Sequence, residues 1–113
     1  SISDCKSILK DVFNQIKIIT VDKIQNVVSN YFNIALSEML SQRRSRPLAR
    51  PRQIAMFLSK QLTDSSYPEI GNLFGGKDHA TVIHGVNKIK VLSETDRKVK
   101  QDLDNIISSL KAD

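Results

Sequence analysis

Tryptophan is absent from this 113-residue chain, cysteine occurs once, and aromatic residues make up only 5% of it. With Cys5 as the sole thiol no intrachain disulfide can form, and a single thiol fits a reducing compartment such as the cytoplasm. No apolar run approaches the roughly 20 residues that a membrane-spanning helix needs. A leading Met and a signal-peptide pattern are also missing. The chain opens at Ser1, and Asp4, Lys6, Lys10 and Asp11 interrupt its first apolar residues. It is therefore expected to be a piece of a larger protein. Sustained alternation of apolar and polar residues is lacking, and so is any internal repeat, which argues against sheets and solenoids. What remains, 40% apolar and 26% charged residues, is the composition of one ordinary globular domain with a short appended segment.

The charge is unevenly placed. The 17 Lys and Arg against 12 Asp and Glu give +5 overall. Residues 1–40 are neutral in sum, residues 61–90 likewise, and residues 91–113 are net negative by one. The whole excess lies in residues 41–60, which hold Arg43, Arg44, Arg46, Arg50, Arg52 and Lys60 and no acidic residue. Five of these six cations are Arg, the side chain suited to bidentate contacts with phosphate and guanine. A run of charge is commonly a solvated face. Without interleaved carboxylates these cations repel one another, and a polyanionic partner relieves that repulsion.

Helical periodicity runs through the chain. Ile8, Leu9, Val12, Phe13 and Ile16 mark one amphipathic helix. Thr20 is a natural N-cap for the next, whose stripe is Ile24, Val27, Val28 and Tyr31. A short helical segment is expected around Leu36–Leu40. Ser41–Pro51 reads as a loop, followed by a helix from Pro51 to Leu62 with Ile54, Phe57, Leu58 and Leu62 facing inward. Ser66 and Glu69 form a capping-box pair with Pro68 in the first turn, which starts a short helix ending near Phe74. Gly75-Gly76 breaks that helix. Asp78 can cap a further helix to about Ser93, with Val82, Val86 and Ile89 buried. The last helix carries Val99, Leu103, Ile106, Ile107 and Leu110. The class is all-α.

Residues 66–94 therefore read as a short helix, a Gly turn and a longer helix. That is the layout of a helix–turn–helix, whose second helix enters the major groove. It is also the layout of a simple packed helical hairpin, and the adjacent Arg-only stretch favours the first reading. Gly71-x-x-x-x-Gly76-Lys77 imitates a phosphate-binding P-loop, but Asp78 stands where magnesium needs Ser or Thr, and no strand precedes it. His79 and His84 are five residues apart and do not share a helix face as a metal pair would. No nucleophile elbow occurs. Catalysis and metal binding are not expected.

Gly75-Gly76-Lys77-Asp78-His79-Ala80-Thr81-Val82-Ile83-His84-Gly85, with Arg43-Arg44-Ser45-Arg46 and Ala49-Arg50-Pro51-Arg52-Gln53 upstream, resembles the C-terminal domain of the DnaA family of bacterial chromosomal replication initiators. The resemblance covers residues 18–113 and implies a Trp-repressor-like helix–turn–helix bundle of about six helices. Residues 1–17 resemble the helix that connects this domain to the family's ATPase domain. The implied function is recognition of origin boxes of the TTATnCACA type by a monomeric domain. Asp78, His79, Ala80 and Thr81 would read base edges in the major groove. Pro68 and Ile83 would make apolar contacts with thymine methyls, and Arg44 would enter the A/T-rich minor groove. Arg52, Gln53, Lys60, Thr63, Ser66, Lys77, His84 and Lys88 match phosphate-gripping positions. At position 80 some members carry Thr, and Ala80 has no hydroxyl to offer a base. No cofactor is expected in this chain, since ATP belongs to the ATPase domain. The partner implied is double-stranded origin DNA in the bacterial cytoplasm. Acidic phospholipids, regulatory proteins and other initiator copies are secondary candidates, and an anionic-lipid or regulator-binding module is the alternative reading. The amphipathic residues 4–17 are nearly neutral, which argues against lipid as the main partner.

Overall fold

The computed structural model describes residues 19–112, and the connecting helix expected over 1–17, with Cys5, lies outside them. The described residues form six helices and no strand: α1 (Val21–Phe32), α2 (Leu36–Met39), α3 (Arg46–Leu62), α4 (Tyr67–Leu73), α5 (His79–Thr95) and α6 (Arg97–Ala112).

Local chemistry sets most of the boundaries. Thr20 caps α1 by accepting from the Lys23 amide at 3.2 Å, and Asn33 ends the helix in the left-handed region that Asn tolerates. Ser66 and Glu69 complete a capping box at the start of α4, with the Ser66 hydroxyl accepting from the Glu69 amide. Asp96 separates α5 from α6 by itself: its amide donates to the Leu92 carbonyl, and its carboxylate accepts from the Lys98 and Val99 amides.

One boundary departs from the periodicity argument. Helix α3 begins at Arg46, five residues before Pro51, so residues 46–51 of the expected Ser41–Pro51 loop are helical. Pro47 sits in the first turn, where a missing N–H costs nothing, while Pro51 is buried inside the helix and forgoes one backbone hydrogen bond. Two prolines four residues apart compete for the same signal, and the first one marks the start.

Helix α3 is the hub. It packs most extensively on α5 and also against α1, while α5 carries α4 on one side and α6 on the other. Ile24 and Val28 of α1, Ile54 and Leu58 of α3, Ile70 and Phe74 around α4, Val82 and Ile89 of α5, and Ile106 and Leu110 of α6 are fully buried together. Each such side chain contributes about 1.5–3 kcal/mol on transfer from water. Tyr31 departs from the apolar stripe of α1. It stands at the surface, where its hydroxyl donates to Asp102 at 2.7 Å and accepts from Asn105 at 3.1 Å, tying α1 to α6. Gln25 ties α1 to the end of α4 by donating to the Leu73 carbonyl at 2.8 Å. Among the described residues no helix is long and apolar enough to cross a membrane.

Candidate nucleic-acid interface

Packing α5 through Val82, Val86 and Ile89 leaves its other faces to solvent. Thr81, His84 and Lys88 share one exposed face at i, i+3, i+7 spacing, and Ala80 and half-buried Ile83 lie beside it. Asp78 and His79 are both exposed at the helix start. The Asp78 carboxylate caps α5 by accepting from the Ala80 amide at 3.4 Å. His79 Nδ1 lies 3.4 Å from the same oxygen, an ion pair only when the imidazole is protonated. The cap occupies one carboxylate oxygen and leaves the acid able to accept from a further donor.

The turn before α5 is made by Gly75 and Gly76, with φ of 84° and 76°. It folds so that the Lys77 amide donates to the Gly71 carbonyl at 2.7 Å. Gly71 lies inside α4 and no strand precedes the turn among the described residues, so the P-loop spacing is coincidental. Those residues also hold no cluster of three His, Cys, Asp or Glu side chains that could bind a metal ion.

The basic segment is brought against this turn. A groove of about 730 Å³ runs between the start of α3 and the start of α5, lined on one wall by Arg44, Arg46 and Gln53 and on the other by Lys77, Asp78, Thr81 and His84. Positions from both sequence motifs, thirty residues apart, thus share one concave surface. Lys77 is half-buried and donates to the Ser41 carbonyl at 2.8 Å. Burial pushes its ammonium below the ordinary lysine value, and the nearby Arg52 and Arg44 push it the same way.

The remaining expected positions fall in three places. Pro68 is exposed in the first turn of α4, at the end of that helix away from the Gly75–Gly76 turn, and does not line the groove. Lys60, Thr63 and Ser66 cluster at the junction of α3 and α4, where each already has a partner. Lys60 lies 4.6 Å above the Tyr67 ring and donates to the Ser65 carbonyl, Thr63 donates to Ser59, and Ser66 caps α4. Arg52 also lines the groove but differs from its neighbours in burial. It is 7% exposed, and its guanidinium is taken up by carbonyls of the 38–43 segment. Charge alone could not separate this buried cation from its exposed neighbours. Arg46 is the converse case: it is exposed on the groove wall, at i, i+3, i+7 spacing with Ala49 and Gln53. Placing the helix start at Pro51 hid that face.

A family model described as the bacterial dnaA protein helix-turn-helix matches residues 21–89. The chain belongs to this family. The matched span contains α1 to α4 and most of α5, and with them the groove. The DnaA helix–turn–helix is a DNA-binding domain and not a catalytic one, and its place is in the initiation of replication. Helix α6 lies beyond the matched span and packs on α1 and α5, behind the DnaA motif.

Proposed function

We propose that this domain binds double-stranded DNA as a monomer and selects origin boxes of the TTATnCACA type. The observation that carries the reading is the shared groove: Arg44 from the basic segment and Asp78 and Thr81 from the helix start line one surface. An α-helix fits a B-form major groove, and an Arg reaching from its flank fits the adjacent narrow minor groove. Asp78 accepts from a cytosine amino group, the donor its unpaired carboxylate oxygen suits. His79, Ala80 and Thr81 read the neighbouring base edges, and Pro68 and Ile83 meet thymine methyls. Gln53, Lys60, Thr63, Ser66, Lys77, His84 and Lys88 hold the phosphates, which fix register without reading sequence. Arg44, Lys60, Lys77 and Lys88 are the four cations committed to DNA. They set a slope of about −3 to −4 in log affinity against log salt.

Fluorescence anisotropy with a TTATCCACA duplex and a scrambled duplex of equal composition, over a salt series, tests this. The expected result is box preference that persists as salt rises. Arg44→Ala should weaken box binding and relax preference at the A/T end. Equal affinity for both duplexes would leave only a basic polyanion-binding domain.

A further inference from the structure

We propose that Arg52 is a positioning residue that sets where Arg44 meets DNA, and not itself a phosphate contact. Three guanidinium nitrogens reach five acceptors on one short segment. Nε donates to the Met39 carbonyl at 2.8 Å, and Nη1 donates to the Arg43 carbonyl. Nη2 donates to the Glu38 carbonyl at 2.7 Å, the Ser41 carbonyl at 3.0 Å and the Ser41 hydroxyl at 3.1 Å. The last backbone group so held belongs to Arg43, directly before Arg44. The planar fork of Arg spans both ends of the segment, whereas the single nitrogen of Lys cannot.

Two more ties fasten the same segment to the recognition turn. Lys77 Nζ shares the Ser41 carbonyl with Arg52, and Gln42 Nε2 donates to the Gly75 carbonyl. The element carrying Arg44 and the turn that starts α5 are therefore one preorganised body. The residue is 7% exposed and each guanidinium nitrogen already donates to the 38–43 segment, so these oxygens compete with phosphate for it where Arg52 borders the groove. The inference rests on the reading above that Arg44 reads DNA.

The test uses Arg52→Lys, which keeps the charge and breaks the fork. Limited trypsin cleavage after Arg43 and Arg44, followed by mass spectrometry without DNA, should quicken about tenfold as the segment opens locally. Box affinity should fall about 5- to 20-fold, matching Arg44→Ala, and the double variant should lose less than about twofold beyond Arg44→Ala alone. Unchanged cleavage, near-wild-type box affinity, or losses that multiply in the double variant would overturn the positioning role. A wild-type chain without box preference overturns the DNA reading instead, while the cleavage rate still judges the loop. Should Arg52→Lys fail to fold, hydrogen exchange of the wild-type Arg52 guanidinium Nε–H, which donates to the Met39 carbonyl, decides. Protection of about tenfold or more over free peptide supports the brace, and free-peptide rates overturn it.

Discussion

The recognition turn offers two substitutions that are chemically identical and physically different. Gly75 and Gly76 both lie in the left-handed region, where a side chain costs about 1–2 kcal/mol. At Gly76 nothing lies within 4 Å of an added Cβ, so that strain is the whole penalty. At Gly75 the Cβ would sit 1.9 Å from the Leu40 carbonyl oxygen, which would have to retreat by about 1.5 Å to reach ordinary contact at 3.4 Å. Leu40 cannot yield easily, because the next carbonyl, that of Ser41, is held by Arg52 and Lys77. Overpacking of this kind adds about 1–3 kcal/mol, for a total near 2–5 kcal/mol. In a domain of this size each kcal/mol shifts the melting temperature by about 4–8 °C. Thermal melts followed by circular dichroism should therefore place Gly76→Ala about 5–15 °C below wild type and Gly75→Ala roughly 10–35 °C below. Gly75→Ala should also lose more box affinity, since it displaces the segment that carries Arg44. Equal melting temperatures for the two variants would refute the steric argument.

Three further outcomes are expected. Tyr31→Phe removes a hydrogen bond to the buried Asp102 carboxylate, which keeps Lys98 at 2.8 Å; a loss of about 1–2 kcal/mol in denaturant unfolding follows, and an unchanged midpoint would show that the pair is solvated. Lys60→Ala should weaken box and scrambled duplexes alike in anisotropy and cost about 1 kcal/mol of stability through the lost Tyr67 stacking; a box-selective loss contradicts a phosphate role. Because burial lowers the Lys77 value, DNA affinity should fall as pH approaches 10.5 from below, earlier than an ordinary lysine would allow. Over that window folding stability from this residue rises, since the unfolded chain holds a proton that the folded chain has lost. Lys77→Arg should move the fall in affinity to higher pH, and a wild-type profile that coincides with that of Lys77→Arg removes Lys77 from the interface.

Much of this domain is legible in its sequence because the signals are local. Caps at Thr20, Ser66 and Asp78, the Gly pair, the buried stripe of α5 and most of those of α1 and α6 each act over a few residues, and the structure holds them where the pattern puts them. The start of α3 was not legible, since Pro47 and Pro51 both fit a first turn and only packing chooses between them. The division of labour among the arginines was hidden for a different reason. Arg46 and Arg52 carry the same charge in the same stretch, and their fates are decided by which helix face meets the 38–43 segment, a contact between residues 9 to 14 apart. Tyr31 shows the same limit, its hydroxyl finding Asp102 at 71 residues' remove.

The partners that surround Arg52 are carbonyl dipoles and one hydroxyl, none of them a carboxylate. Neutral acceptors satisfy the donors of a guanidinium without cancelling its charge. The cation therefore remains part of the field that the protein projects into solution, even though its atoms are enclosed. A polyanion approaching from a distance feels the summed charge and not the list of exposed side chains. On the proposed positioning role Arg52 would contribute twice on different timescales: it would accelerate encounter from beyond contact range, and it would hold the segment in place once encounter has occurred. A neutral replacement of the same shape would slow association even if the loop stayed where it is.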